Sequence, residues 1–276
     1  MTADRRLTPA TDRVALASWR DRIDRPAYVE GSAARLAVPL ADLCRSPGGQ
    51  RERQVNFGAD LTVIERRDDW AFVQAALDGY CGWLRAAALR DDLPPITHRV
   101  RAPATHIYPE PDMKTHQMMA LSIGARLSVT MHQGRFAGLA QGGWVPVQHL
   151  ADAPDPDPVT VAESLLGTPY LWGGNSDWGI DCSGLVQAAL TACGIACPGD
   201  SDMQAAAFPV VDDIRRGDLL FWKGHVAMAM SPAMMIHATA WQMAVIREGI
   251  PDALARIEAS GDGPYLGIRR PPAPRG

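Results

Sequence analysis

A segment rich in proline and aspartate, ADAPDPDPVT at residues 151–160, divides the chain into two parts of different texture. Proline fixes its own backbone and pushes the preceding residue into an extended conformation, so we expect an extended, exposed linker here. This segment is the strongest domain boundary in the sequence. A chain of 276 residues is long enough for two domains, or for one larger domain with smaller modules.

Before the linker, short apolar runs alternate with turn signals. LTVIE, WAFVQA and GYCGWL are typical of strands, and RRDD and LDG of the turns between them. The same alternation of short apolar runs and turn signals occurs again after residue 97, in THIYPEPD, RLSVTMHQGRFAGLA and GGWVPVQHL. The endings DGYCGWLRAAAL and GGWVPVQHL share glycine, tryptophan, a short strand and a closing helical turn. This repetition predicts two copies of a small β-barrel.

After the linker the pattern changes to helices followed by strands. VTVAESLLGTPY predicts a helix with Thr160 as its N-cap, and CSGLVQAALTACGI predicts a second helix that ends at Gly194. DLLFW, HVAMAM and MMIHATA then predict successive antiparallel strands. Helices first and an antiparallel sheet after them indicate an α+β fold.

Composition excludes several classes of function. The net charge is −4 and no basic stripe is present, so no nucleic acid partner is predicted. No apolar run approaches the length of a membrane span. The N-terminus lacks a secretory signal, and the odd number of cysteines, five, fits a reducing compartment. We therefore expect a cytoplasmic protein, unless a leader has been removed. The sequence does not indicate the oligomeric state.

Cys182, in GIDCSGLVQAAL, directly precedes the second predicted helix. It is a nucleophile, half of a disulfide, a metal ligand or a small buried residue. Cys193 and Cys197 are four residues apart, but no second cysteine or histidine pair follows at zinc-site spacing. They are predicted to be small buried residues at a helix end, and neither metal nor cofactor is predicted. At a helix N-terminus the dipole favours the thiolate form of Cys182.

A thiolate nucleophile needs a general base, and usually a third group that orients the base. His225 and His237 interrupt two apolar strand candidates twelve residues apart. Antiparallel pairing of these strands would place the two imidazoles side by side. Each histidine alone is typical of a buried residue with a hydrogen-bond partner, but the pair, together with Cys182, favours a Cys-His-His arrangement.

Three blocks carry a family resemblance: PYLWGGNSDWGIDCSGLVQAAL, RRGDLLFWKGHVAMAM and MMIHATA resemble the signature blocks of NlpC/P60 cysteine peptidases. The preceding YVEG, RQVNFGADLTVIERRDDWAFVQAALDGYCGWL and GGWVPVQHL resemble the paired bacterial SH3 modules of the cytoplasmic γ-D-glutamyl-L-diamino acid endopeptidases. The resemblance implies a papain-like NlpC/P60 domain at 158–276, after two SH3-like β-barrels at 31–92 and 96–152. Residues 1–30 would form an N-terminal helical or extended segment.

The resemblance also implies residue roles. Cys182 would be the nucleophile, His225 its base and His237 the residue that orients the base. The implied substrate-binding residues are Glu52, Tyr80, Tyr170, Trp172, Asp181, Ser183, Asp200 and Ser201. Among these, Glu52 and Tyr80 would bind the free amine of an N-terminal L-Ala, although RERQVNFGAD lacks the acid that usually follows FG.

The implied activity is hydrolysis of the γ-D-glutamyl–L-diamino acid bond, with diaminopimelate or lysine as the diamino acid. The implied partner is a small murein peptide with a free N-terminal L-Ala, and the implied role is cell-wall peptide recycling in the cytoplasm. Two alternatives stay open: a secreted peptidoglycan hydrolase of the same family, and a catalytically silent module that binds peptidoglycan peptides.

Overall fold

The computed structural model describes residues 4–261 and 263–274, and the chain divides into two compact units. The N-terminal unit contains the residues up to Val100 and Ala104–Leu150, and the C-terminal unit contains Arg101–Pro103 and the chain from Ala151 onward. Residues 1–3 of the predicted N-terminal segment, and residues 262, 275 and 276 of the predicted peptidase domain, lie outside the described residues. The boundaries 31–92 and 96–152 for separate SH3-like domains stay a prediction.

The N-terminal unit is built from short strands and single 3-10 turns. Its strands are β1 (Val14–Leu16), β2 (Ala27–Val29), β3 (Ser32–Leu36), β4 (Leu40–Cys44), β5 (Arg51–Asn56), β6 (Asp60–Arg67), β7 (Trp70–Ala75), β8 (Cys81–Arg85), β9 (Leu89–Arg90), β10 (His98–Val100), β11 (Ala104–Ile107), β12 (Met119–Ser122), β13 (Arg126–Leu127), β14 (Val129–Gln133), β15 (Phe136–Leu139), β16 (Trp144–Pro146) and β17 (Leu150–Ala151). The 3-10 turns are Arg5–Leu7, Ala17–Trp19, Ala86–Ala88 and Val147–His149.

A seven-stranded sheet dominates the first half of this unit, in the order β5-β4-β8-β7-β6-β3-β9. β6, β7 and β8 are the three strands predicted from LTVIE, WAFVQA and GYCGWL, and consecutive members pair antiparallel. Because side chains alternate across a strand, one face of each strand supplies the apolar core. Leu43, Val73 and Leu84 are fully buried there.

The two sequence repeats end in the same elements: a strand, a 3-10 turn and a two-residue strand. In the first repeat these are β8, Ala86–Ala88 and β9; in the second they are β16, Val147–His149 and β17. Phe57, from the first repeat, packs in the buried cluster of the second with Val100, Leu121 and Leu127. The two repeats therefore share packing within one compact unit.

The C-terminal unit has four α-helices among its described residues, together with a six-stranded sheet. Its elements are α1 (Pro158–Glu163), β18 (Asn175–Ser176), β19 (Gly179–Ile180), α2 (Cys182–Ala192), α3 (Ser201–Ala207), β20 (Val210–Val211), β21 (Leu219–Trp222), β22 (His225–Ala229), β23 (Met234–Thr239), β24 (Ala244–Gly249), α4 (Ile250–Ser260) and β25 (Tyr265–Arg269). The sheet has the order β20-β25-β21-β22-β23-β24 and is antiparallel throughout. The predicted α+β fold is confirmed.

The helix ends agree with the sequence in one case and not in another. Gly194 has a φ of +72° and follows the last turn of α2, as predicted. The prediction of Thr160 as an N-cap is wrong, because α1 begins two residues earlier, with Pro158 in its first turn. Asp157 caps α1 instead, accepting from the amides of Val159 and Thr160. Over the residues described, no helix is both long enough and apolar enough to cross a membrane.

Candidate active site

Asp181 fixes the start of α2, which carries Cys182 as its first residue. Oδ1 of Asp181 accepts from the Gly184 amide at 2.7 Å and from the Ser183 hydroxyl at 2.9 Å. Oδ2 accepts from the Gly173 amide at 2.8 Å, which ties the preceding loop to the same carboxylate. The two implied substrate-binding residues Asp181 and Ser183 therefore form the cap of the helix in this structure.

Cys182 is only 7% exposed. Burial, and after it the negative charge of Asp181, raise the pKa of the Cys182 thiol to about 12, although the backbone amides of Val226, Ser183 and Cys182 itself act in the opposite direction. The amides at the start of α2 favour the thiolate, in the direction expected of a helix N-terminus, but burial has the larger effect on the pKa. Desolvation of the charged form outweighs the dipole, so the thiol is protonated at neutral pH.

β22 and β23 bring His225 and His237 together. Met228 pairs with Ile236 and Ala229 with Met235, and the same register places Ala227 opposite His237. His225 is two residues from Ala227 on the same face, so the two imidazoles are diagonal neighbours. His225 Nε2 lies 2.9 Å from His237 Nδ1. The Val226 amide that acts on the Cys182 thiol is adjacent to His225 in the chain, so the thiol lies close to the backbone at the start of β22.

Glu248 is a member of this cluster that the sequence reasoning missed. Its Oε2 atom lies 3.1 Å from Nε2 of His237. The two atoms are within hydrogen-bond distance but are not aligned as a hydrogen bond, so Nε2 has no hydrogen-bond partner among the described residues. Arg256 of α4 holds the same carboxylate with two bonds of 2.8 Å. A charged residue in β24, on the face that it shares with Ile246 opposite His237, is the signal that could have found it.

Tyr170 and Trp172 lie on the loop before Asp181. Tyr170 bridges to Ile180, and its amide donates to the Met243 carbonyl. Burial, followed by the nearby Cys182 and Asp181, raises the pKa of the Tyr170 hydroxyl, so this hydroxyl is a hydrogen-bond donor near the thiol. The Trp172 side chain is 64% exposed and so presents a large apolar surface to solvent.

The predicted substrate loop is tied to the nucleophile helix by a residue that the sequence reasoning did not select. Asp200 and Ser201 stand at the start of α3. One turn later, the fully buried Gln204 donates from Nε2 to the carbonyls of Ser183 and Pro198, both at 3.0 Å. These bonds place the start of α3 beside the first turn of α2.

Glu52 and Tyr80 belong to the N-terminal unit, where they cluster with Arg5. Nη1 of Arg5 donates to Oε2 of Glu52 at 2.8 Å, and its Nη2 bonds the other carboxylate oxygen. Tyr80 is 2% exposed, its ring faces the Arg53 guanidinium, and it acts electrostatically on Arg5. In this structure Glu52, which the resemblance implies to bind a substrate amine, is thus already paired with Arg5 of its own chain.

The remaining cysteines form no bond with one another. All five are free thiols, and Cys193 and Cys197, at 0% and 3% exposure, are packing residues at the end of α2. The disulfide alternative for Cys182 is therefore not supported.

Two family models match the chain: the NlpC/P60 family at residues 167–251, and the bacterial dipeptidyl-peptidase SH3 domain at residues 43–89. A γ-D-glutamyl-L-lysine dipeptidyl-peptidase of Bacillus cereus ATCC 10987 is 29% identical over 68% of this chain and 67% of its own length. The Bacillus subtilis 168 protein of the same name is 29% identical over 79% of each chain. Dipeptidyl-peptidase 6 of Lysinibacillus sphaericus is 28% identical over 75% of this chain and 87% of its own length.

Solved structures show the same fold. An NlpC/P60 family protein from Bacillus cereus ATCC 10987 matches with a TM-score of 0.75 and 24% identity, over 87% of this chain and 99% of that one. The nucleophile-type cysteine, the paired histidines and both family models occur together in one chain. The chain therefore contains an NlpC/P60 domain, the domain of a cysteine peptidase family, preceded by a bacterial dipeptidyl-peptidase SH3 domain.

Proposed function

We propose that this peptidase hydrolyses the amide bond between the γ-carboxyl of D-glutamate and an L-diamino acid in small murein peptides with a free N-terminal L-Ala. The names of two relatives, γ-D-glutamyl-L-lysine dipeptidyl-peptidases, support the choice of bond. The observation that carries the chemistry is the 2.9 Å contact between His225 and His237 beside a cysteine at a helix N-terminus.

The first step is transfer of the acyl group to sulfur. Nε2 of His225 faces His237, so Nδ1 is the atom left to take the proton of the Cys182 thiol. The sulfur then attacks the γ-amide carbonyl, and the oxyanion accepts from the Cys182 backbone amide and the Tyr170 hydroxyl. The carbon–nitrogen bond breaks, the diamino acid leaves with the proton from His225, and a thioester stays on Cys182.

The second step is hydrolysis of this thioester. His225 takes a proton from water, the hydroxide attacks the thioester carbonyl, and the carbon–sulfur bond breaks. The proton returns to the sulfur and the γ-carboxylate product leaves. The base is needed in the first step because the resting thiol is protonated, and in the second step because water must lose a proton.

We assign the substrate groups as follows. In the C-terminal unit the carboxylate of Asp200 binds the free amine of L-Ala; Glu52 and Tyr80 of the N-terminal unit keep the amine-binding role that the family resemblance implies. The hydroxyls of Ser183 and Ser201, and the backbone near Trp172, meet the polar remainder, including the α-carboxylate of D-glutamate. A requirement for a free amine suits peptides already released from the wall, and so favours recycling in the cytoplasm.

The test is product analysis by mass spectrometry on L-Ala-γ-D-Glu-L-Lys and L-Ala-γ-D-Glu-diaminopimelate, each with a free and an acetylated N-terminus. We expect cleavage of the γ-glutamyl bond in the free peptides, loss of cleavage in Cys182→Ala, and retention in Cys193→Ala, which alters a buried cysteine at the other end of the same helix. Equal cleavage of free and acetylated peptides would contradict amine recognition.

Two other outcomes would favour the alternatives. Release of soluble fragments from intact sacculi would favour a wall hydrolase over a recycling enzyme. Binding of the peptides without turnover by the wild type would favour a silent binding module. The intact Cys182, His225 and His237 set argues for turnover.

A further inference from the structure

Four charged or titratable side chains form a continuous chain that begins beside the nucleophile. His225 contacts His237 at 2.9 Å, His237 contacts Glu248 at 3.1 Å, and Glu248 binds Arg256 through two bonds of 2.8 Å. The proposed mechanism uses only the two histidines. The carboxylate and the guanidinium have no role in it.

Strand register places Glu248 where it contacts His237. Met235 pairs with Glu248, and His237 pairs with Ile246, in the antiparallel pair β23–β24. His237 and Glu248 are therefore diagonal neighbours on one face, within reach of a long side chain. Arg256 reaches the same carboxylate from α4, which packs on this face of the sheet through Ala253 and Ile257.

A neutral imidazole carries one N–H, on either Nδ1 or Nε2. A carboxylate beside Nε2 of His237 favours the proton on that nitrogen, since the carboxylate only accepts. Nδ1 of His237 is then an acceptor and must receive the N–H from Nε2 of His225. In turn, Nδ1 of His225 has no proton and is the base. The opposite tautomer of His237 would reverse every bond and leave His225 Nδ1 protonated, unable to take the thiol proton.

Arg256 stabilises the neutral form of His237 on which this series of contacts depends. His237 is 1% exposed, and burial together with the positive charge of Arg256 lowers its pKa to about 4, so the imidazole is neutral at neutral pH. The guanidinium also packs 4.3 Å over the Trp241 ring, which limits its movement. Arg256 therefore holds the Glu248 carboxylate in place. It also balances the negative charge of Glu248, so this charge does not cause His237 to bind a second proton.

We propose that Glu248 is a positioning residue for the peptidase: it fixes the tautomer of His237 and, through the contact between the two imidazoles, keeps Nδ1 of His225 unprotonated. This inference rests on the proposed function for the roles of Cys182, His225 and His237. The Glu248–Arg256 ion pair, which joins β24 to α4, would then also set the tautomer of His237.

The test compares the wild type with Glu248→Leu, which has no acceptor, and Glu248→Gln, which keeps an acceptor oxygen. Glu258→Gln, on the exposed side of α4, is the matched control. Histidine tautomers are assigned by 15N NMR of histidine-labelled protein, and the alkylation rate of Cys182 by iodoacetamide is followed by peptide mass spectrometry. Neither measurement requires a substrate, so failure of the proposed function and failure of this inference are distinguishable.

We expect the proton on Nε2 of His237 in the wild type, the control and Glu248→Gln, and a shift toward Nδ1 in Glu248→Leu. For that variant, the rate of Cys182 alkylation at neutral pH and kcat should both fall by about tenfold or more, while KM stays unchanged. Losses of this size are typical when a residue that orients a functional histidine is removed. Wild-type tautomer and alkylation rate in Glu248→Leu would overturn the proposal. If Glu248→Leu does not fold, the wild-type spectrum decides alone, because a His237 protonated on Nδ1 also overturns it.

Discussion

Replacement of Asp181 by alanine should destabilise the C-terminal unit strongly, because one carboxylate serves three donors. The Gly184 amide and the Ser183 hydroxyl lose their acceptor at Oδ1, and the buried Gly173 amide loses its acceptor at Oδ2. Loss of an N-cap costs about 0.5–2 kcal/mol, and a buried amide left without an acceptor costs about 1–3 kcal/mol. We therefore expect the free energy of unfolding to fall by about 2–4 kcal/mol.

The cysteines offer an assay that resolves the two units. Cys193 and Cys197 are buried in the C-terminal unit, and Cys44 and Cys81 are buried in the N-terminal unit. Pulses of iodoacetamide along a urea gradient, read by peptide mass spectrometry, give an unfolding midpoint for each pair. With an m value of about 2 kcal/mol/M, the Cys193 and Cys197 midpoint should fall by about 1 M or more.

Two comparisons make this test decisive. Asp181→Asn keeps one acceptor oxygen but presents its amide group to a donor, so its midpoint should lie between those of the wild type and the alanine variant. Asp212→Ala, an exposed aspartate in the same unit, should leave the midpoint unchanged. A Cys193 midpoint for Asp181→Ala within about 0.2 M of the wild type would refute the reasoning from hydrogen bonds.

Three further predictions concern other parts of the molecule. In Gly184→Ala the added Cβ would lie 2.4 Å from the Gly174 carbonyl oxygen, so we expect a loss of about 1–3 kcal/mol in the same labelling assay; a wild-type midpoint would contradict it. His237 has a folded pKa lowered to about 4, so protons bind the unfolded state first and stability should fall by roughly 3 kcal/mol between pH 6.5 and 4. His237→Asn should remove most of this pH dependence, and an unchanged dependence would show another group to be responsible. Under the proposed function, Arg5→Ala frees Glu52 for the substrate amine, so it should lower KM for peptides with a free N-terminus.

The sequence predicts those parts of the site that depend on local patterns. The apolar spacing in CSGLVQAALTACGI, together with Gly194 within it, predicts the position of α2. The occurrence of one histidine in each of two successive apolar strands predicts that the two imidazoles lie close together. These features follow from apolar residues repeating every 3.6 residues in a helix and every 2 residues in a strand, and a short stretch of sequence is enough to detect either repeat.

The parts that escape prediction depend on register and burial. Glu248 meets His237 only because the turn between β23 and β24 sets their pairing, and this turn contains Met243 at a φ of +52°, a conformation that no local residue preference indicates. The Arg5–Glu52 pair joins residues far apart in the chain. The raised pKa of Cys182 could not be predicted, because a helix dipole can be inferred from sequence and the depth of burial cannot.

Protection of the nucleophile against oxidation follows from its environment. Peroxides react with the thiolate of a cysteine and convert it to sulfenic acid, whereas a neutral thiol is far less susceptible. Cys182 is 7% exposed and protonated at rest, and its thiol is not joined to any of the other four cysteines. The same burial that, in the proposed mechanism, requires His225 to take the thiol proton therefore preserves the sulfur in its reduced form at rest.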